Sequence, residues 1–390
     1  MKWSTAPLLL AVILLGVPLG AHLWMSLGDR LMSPALNHIA RGDRSLAEGR
    51  YPEAVIAYGR AQRIEPQSAA ADLGLTRARV HGVADDIARL RDEHVDELRY
   101  DTSFLLERDP RSAAACHVAL GHLAARRGDS SAARTHYEEA LKVDAASPLA
   151  HTAIGNALLN EKDGVTRAAA SFEAALKSRA GHVGALIGLA KIALGKGDVE
   201  QAVRHLNAAL ATRDDYSAHL LLGNVQVRQK NLTDGIAHLE RAVKLEPQSA
   251  EALRSLGQAL MAADRSADAE RPLRAAIQIA EDLEAAAALG FSLARQRKQA
   301  AALEAFMQVL SRAPDHPLAL FGAGVALEEL GKRDDAASTY KKLLSLKAPP
   351  GREVPGLGQV QEDAKQRLAG LEASSVGEGS AGPPPPPPSP

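Results

Sequence analysis

A period close to 34 residues constrains this chain more than any other feature. The block LGHLAARRGDSSAARTHYEEAL, beginning at Leu120, returns in outline as far as Leu344. Aligned on a Leu-Gly-like pair at places seven and eight, seven repeats start at Ala114, Pro148, Val183, Tyr216, Ala250, Leu283 and Pro317, at intervals of 34, 35, 33, 34, 33 and 34. A repeat this short cannot bury its apolar face alone, so neighbours must stack into one continuous array.

Positions 7 and 8 read Leu120-Gly121, Ile154-Gly155, Leu189-Ala190, Leu222-Gly223, Leu256-Gly257, Leu289-Gly290 and Ala323-Gly324. Positions 20, 24 and 27 read small, large, small, as in Ala133/Tyr137/Ala140, Ala168/Phe172/Ala175 and Ala269/Leu273/Ala276. An extra residue near Gly164 shifts the second repeat by one. Spacings of three and four place these residues on one helical face. Small residues at 8 and 20 let two helices approach, the large residue at 24 fills the space they leave, and Pro247 and Pro314 at position 32 end the second helix.

This pattern resembles the tetratricopeptide repeat, a pair of antiparallel helices. The resemblance implies an all-α protein, a right-handed α-solenoid of about nine helix-turn-helix repeats. An earlier repeat is visible in EGRYPEAVIAYGRAQRIEPQS, with Ala54, Tyr58, Ala61 and Pro66 in register, behind a poorer first helix near 34–45. Pro66 and Pro110 are 44 residues apart, and LRYDTSFLLERDP lacks the small-large-small triplet. That stretch is expected to be a lengthened, degenerate repeat, the weak point of the array and a possible hinge. The expected organisation is divergent repeats over 35–113, seven regular repeats over 114–348 and a capping helix within 352–373. A Gly/Ser/Pro-rich tail over 374–390 is expected to be disordered and to end in a short polyproline II rod, either merely solvated or a docking segment for an SH3-like or WW-like partner.

Ahead of the repeats, Ala6 to Leu27 contains no Asp, Glu, Lys or Arg and as a helix would span roughly 33 Å, enough to cross a bilayer. Its strongest stretch, Leu8 to Leu15, is short and is followed by Gly16, Pro18 and Gly20, which also suits a cleaved signal. A retained anchor, a cleaved signal and a buried soluble helix therefore stay open, with the anchor preferred because bulky Leu19 sits where cleavage before His22 wants a small residue. The segment has no cysteine to lipidate. A lone N-terminal apolar segment usually sends the rest across, so the repeats are expected in the periplasm or outside, anchored or released, with a cytoplasm-facing array as the alternative.

Composition closes off other classes. With 46 Lys+Arg against 47 Asp+Glu, a nucleic-acid binder driven by counterion release is not expected. One cysteine, Cys116, excludes an internal disulfide, a multi-thiolate zinc site and a CxxC pair. His117 and His122 lie five apart, about 140° around a helix, and do not converge on a metal. GKGD at Gly195 is too short for a phosphate loop, and the strings at Arg41-Gly42-Asp43 and Arg127-Gly128-Asp129 read as parts of repeats rather than adhesion motifs. Asn231-Leu232-Thr233 is a sequon in an expected turn. No catalytic residue, cofactor, metal or small-molecule substrate is expected, and the repeats leave no room for a catalytic domain.

In tetratricopeptide arrays the first helices line the concave face, and positions 2, 5, 9, 12 and 13 commonly touch a peptide. Carried over, that face comprises His122, Asn156, Lys191, Asn224, Gln258 and Phe291 at position 9, Arg126, Asn160, Arg228 and Arg295 at position 13, and Arg254 and Phe321 at position 5. The amides of Asn156, Asn224 and Gln258 can pair with peptide N–H and C=O groups, and Lys191, Arg228 or Arg254 could capture a carboxylate. Phe321, Val325, Glu328 and Glu329 would form an apolar, acidic end. The expected function is a protein-binding scaffold, tethered through 6–27 or exported, for an envelope complex of secretion, pilus, motility or polysaccharide export. The alternative is a client-binding assembly chaperone of the cytochrome c maturation type.

Overall fold

A computed structural model of the chain describes residues 33–87, 90–347 and 357–378. Among them there are nineteen α-helices, two three-residue 3-10 turns and no strand. The array divides into two compact bodies, one ending at Arg213 and the other beginning at Asp214. The first holds α1 (Pro34–Ala47), α2 (Tyr51–Ile64), α3 (Ala69–Asp85), α4 (Val95–Arg108), α5 (Ala113–Arg126), α6 (Ser130–Val143), α7 (Pro148–Leu158), α8 (Val165–Ser178), α9 (Val183–Gly195) and α10 (Val199–Thr212). The second holds α11 (Tyr216–Arg228), α12 (Leu232–Leu245), α13 (Ala250–Ala262), α14 (Ser266–Ala280), α15 (Leu283–Arg295), α16 (Gln299–Arg312), α17 (Pro317–Glu329), α18 (Arg333–Ser345) and α19 (Leu357–Glu378).

Starts and stops are written locally. Ser147, Asp215, Ser249 and Asp282 each precede a first helix and accept a hydrogen bond from the amide three residues on, satisfying a donor the helix leaves orphaned. His182 and His316 do the same through Nδ1. The turn inside six of the seven regular repeats puts position 15 in the left-handed region, where Gly128, Gly197 and Gly331 fit but Lys230, Asp264 and Arg297 also stand, at φ of 64°, 57° and 63°. In the repeat with the extra residue, Asp163 takes that place one position later.

The core follows the triplets. Phe172 and Phe306 are fully buried, as are the rings of Tyr58 and Tyr340. A methyl on Gly155 would lie 2.6 Å from the Phe172 ring, so the glycine is required by the closeness of α7 to α8. Each buried ring or leucine contributes roughly 1.5–3 kcal/mol. At the end of the second body, α19 lays Leu357, Val360, Ala364 and Leu368 over Leu320, Leu327, Tyr340 and Leu343. That covers the apolar edge which the last repeat would otherwise expose.

The degenerate repeat is α3 and α4, with the longer connection over 86–94. Its first helix is regular after all, since Leu73-Gly74 stands at positions 7 and 8 and Gly74 packs against the Tyr58 ring. In place of the missing triplet, the Arg77 guanidinium is 2.6 Å from Asp109 and that of Arg79 is 2.8 Å from Asp101, both carboxylates being only 4% exposed. The array divides at 213/214, outside this repeat. Consecutive residues there anchor into different bodies: Arg213 Nη1 donates to Asp85 at 2.8 Å, whereas Asp214 accepts from His219 Nε2 at 2.8 Å and pairs with Arg241.

Among the described residues no helix is long and apolar enough to cross a membrane. The expected anchor or signal over 6–27 and the proline-rich end of the tail lie outside the described residues.

Candidate functional site

The first helices carry eleven of the twelve positions expected to meet a peptide, Asn160 standing in the turn after α7, and the residue at position 24 bears on which side chains are available. Where position 24 is Tyr, its hydroxyl reaches back to a polar group on the first helix of the same repeat. Tyr58 donates to Asp43 at 2.6 Å, Tyr340 donates to Glu328 at 2.9 Å, and Tyr137 lies 2.9 Å from His122 Nδ1. His122 Nε2 is also 3.3 Å from the Ala84 carbonyl, and burial drags its pKa down to about 4. His122 is therefore a neutral packing residue and not, as expected, part of an open binding face. The tyrosine at position 24 was the sequence signal for this.

Where position 24 is Phe172, Leu206, Leu239 or Leu273 there is no hydroxyl to satisfy. The position-9 side chains of those repeats, Asn156, Lys191, Asn224 and Gln258, have no hydrogen-bond or ion-pair partner among the described residues. Asn156, Lys191 and Gln258 are exposed, and Asn224 is half-buried. Asn160 and Arg228 at position 13 are likewise exposed and unengaged.

The remaining cations are committed elsewhere. Arg126 Nη1 donates to the Leu90 carbonyl at 2.7 Å, tying down the 86–94 connection, and Arg295 Nη1 donates to the Met261 carbonyl at 2.7 Å near the end of α13. Arg254 Nη1 lies 3.0 Å from Asp282, the residue that caps α15. These three arginines join successive repeats, and Arg254, one of the cations expected to capture a carboxylate, already has one in Asp282. Phe291 is half-buried, edge-on to Phe306 with ring centroids 4.9 Å apart. Phe321 and Val325 pack into the cluster closed by α19, and Glu328 accepts from Arg367 at 3.0 Å. Of the expected apolar, acidic end, Phe321, Val325 and Glu328 are thus partly covered, while Glu329 is exposed.

The groups left available fall into two sets, Asn156, Asn160 and Lys191 in the first body, and Asn224, Arg228 and Gln258 in the second. Amides that can both donate and accept, with one guanidinium beside them, suit a polypeptide backbone and a carboxylate. Cys116 does not add a nucleophile, because it is buried on α5 and burial pushes its thiol up to about 12. No group of three or more His, Cys, Asp or Glu is placed to hold a metal among the described residues.

No curated protein sequence matches the chain. Among solved structures, the chain is similar to the APC/C hetero-tetramer Cut9–Hcn1, with 16% identity and a TM-score of 0.58 over 79% of this chain and 59% of that one. That likeness supports the solenoid fold. The chain spans 59% of the length of that neighbour. It is also similar to PilW, described as a widely conserved type IV pilus biogenesis factor (20% identity, TM-score 0.46, 54% of this chain and 97% of that one). A third similar structure is YrrB, a tetratricopeptide protein described as having an unusual peptide-binding site (23% identity, TM-score 0.43, 53% and 99%). Models of the tetratricopeptide repeat match residues 118–181, 220–284 and 285–353, and a second such model matches 165–224. With more than half of its length matched and helix pairs throughout both bodies, the chain belongs to the tetratricopeptide repeat family.

Proposed function

We propose that the chain is a non-enzymatic scaffold that holds peptide segments of partner proteins against the first helices of its repeats, above all against Asn224, Arg228 and Gln258 of the second body. The observation that carries this reading is the unengaged state of the position-9 amides beside position-13 and position-5 arginines that are mostly committed. An amide that the fold does not use, held on a rigid helix, is ready to pair with a peptide backbone at little ordering cost. A free Arg228 favours a segment that brings a carboxylate, either an acidic side chain or a chain terminus. The apolar stretch over 6–27 supports a tethered or exported scaffold, and with it a place in the assembly of an envelope complex such as a secretion, pilus, motility or polysaccharide-export machine.

A photo-crosslinking residue placed at Asn224 or Gln258 in the full chain, compared with one at Glu304 on the second helix of a repeat, tests the face in cells. The expected outcome is a discrete crosslinked partner from the two first-helix positions and none from Glu304. Equal crosslinking from all three would overturn the assignment. Protease accessibility of a C-terminal tag before and after lysis tests the compartment, and cleavage only after lysis would remove the envelope reading.

A further inference from the structure

Within the first body, residues far apart in sequence meet in one polar cluster. The Arg179 guanidinium donates through Nη2 to the Glu48 carbonyl at 2.6 Å, across 131 residues. Arg213 Nη1 donates to Asp85 Oδ2 at 2.8 Å, across 128 residues. His182 Nδ1 is taken up as acceptor for the Ala185 amide, so the ring carries its proton on Nε2, which lies 3.7 Å from Asp85 Oδ1. These side chains enclose a cavity of about 20 Å³, room for a single water. The Asp85, His182 and Arg213 side chains are 5%, 1% and 16% exposed.

Two properties set this cluster apart from the seams between consecutive repeats. It joins the turn after α1 and the end of α3 to the turns after α8 and α10, which are several repeats away in the chain. It is also mainly polar, with Tyr51 and Val183 as its apolar neighbours, whereas the clusters that join neighbouring repeats of this body are mainly apolar. Gly49 adds a steric reason for the close approach: it holds a left-handed φ of 73°, and a side chain there would run into the Arg179 guanidinium. Polar contacts of this kind add little net stability, yet they are directional and break together.

We propose that Glu48, Asp85, Arg179 and Arg213, packed around His182, form a latch that holds the first body closed on itself, and that releasing it opens the body while the repeats stay folded. Tyr58, Tyr137 and Phe172 lie in apolar clusters that contain none of the latch side chains, so the latch can part without exposing them. Opening would separate the α1–α2 turn from the α8–α9 turn and release Arg179 from the Glu48 carbonyl.

The test uses the full chain with spin labels on cysteines introduced at Glu53 and Lys177, both exposed and flanking the latch, while buried Cys116 stays unlabelled. Pulsed electron–electron resonance is expected to give one short distance in the parent. In the variant carrying Arg179→Gln and Arg213→Gln, a second, longer population is expected, with circular dichroism unchanged. Asp85→Asn, which keeps the shape of the side chain, is expected to give the same longer population to a smaller extent. An unchanged distance distribution in both variants would overturn the latch. Loss of helix content along with the distance change would overturn it as well, because the cluster would then be part of the folding core.

Discussion

At the residue scale, position 15 shows how a repeat tolerates a local misfit. Lys230, Asp264 and Arg297 occupy the left-handed conformation that Gly128, Gly197 and Gly331 adopt without a Cβ clash. A non-glycine residue there costs roughly 1–2 kcal/mol, partly offset by the extra freedom glycine has in the unfolded chain. Lys230→Gly and Arg297→Gly should therefore each stabilise the second body by up to about 1 kcal/mol, read as a higher denaturation midpoint at unchanged m-value. A lower midpoint would mean that the turn is held by side-chain contacts and not by backbone preference. Phe172 illustrates the opposite case, a residue with no slack: enclosed by Gly155 and Gly188, it should cost about 3–5 kcal/mol when cut to Ala.

At the scale of elements, α3 and α4 form a repeat whose second helix is fastened by charge. Asp101 is buried, its carboxyl pushed upward by desolvation although the Arg79 guanidinium opposes the shift. Removing that guanidinium leaves the carboxylate without its partner. Arg79→Ala is expected to destabilise the first body by about 3 kcal/mol, and Arg79→Ala with Asp101→Leu by much less, a difference that a double-mutant cycle measures. Equal losses in the two variants would show that packing of α4, not the ion pair, holds the repeat. The same stretch explains what was and was not legible from the letters. Length and the missing triplet announced an irregular repeat, whereas the register of its first helix, with Gly74 against the Tyr58 ring, came from the structure. The pairing of Arg77 with Asp109 depends on a separation of 32 residues that no local pattern encodes.

At the scale of whole bodies, acid should act unevenly. Burial lowers His81, His122 and His182 to about 4 each, and all three lie in the first body. Around them, Asp109, Arg77 and Asp85 face His81, while Asp85, Arg179 and Arg213 face His182. A folded-state value below the unfolded one means the native body refuses a proton that the unfolded chain accepts. Stability is then full above pH 6.5 and is lost as pH falls from there towards 4. At pH 5 the loss is on the order of 2 kcal/mol per histidine. Because the one thiol, Cys116, is buried on α5 in that body, the urea midpoint of its labelling reports unfolding around α5. The midpoint is expected to drop between pH 7.5 and pH 5, and a constant midpoint would show that these rings take up protons in the folded state.

The amino-acid sequence by itself determined the helix pairs, their boundaries and the stacking of repeats, because each of these follows from spacings of three, four and thirty-four along the chain. It also determined which side chains stand on the first helices, the amides of Asn224 and Gln258 among them. Only the tertiary structure decided which of those side chains remain available. His122 is claimed by Tyr137 and by the Ala84 carbonyl, Arg254 by Asp282, Arg295 by the Met261 carbonyl, and Phe321 by the cluster beneath α19. The division at 213/214 and the cluster around Asp85 belong to the same class. The physical reason is common to all of them: a periodic pattern fixes where a side chain points from its own helix, whereas a hydrogen bond or an ion pair depends on which distant group the fold brings within about 3 Å.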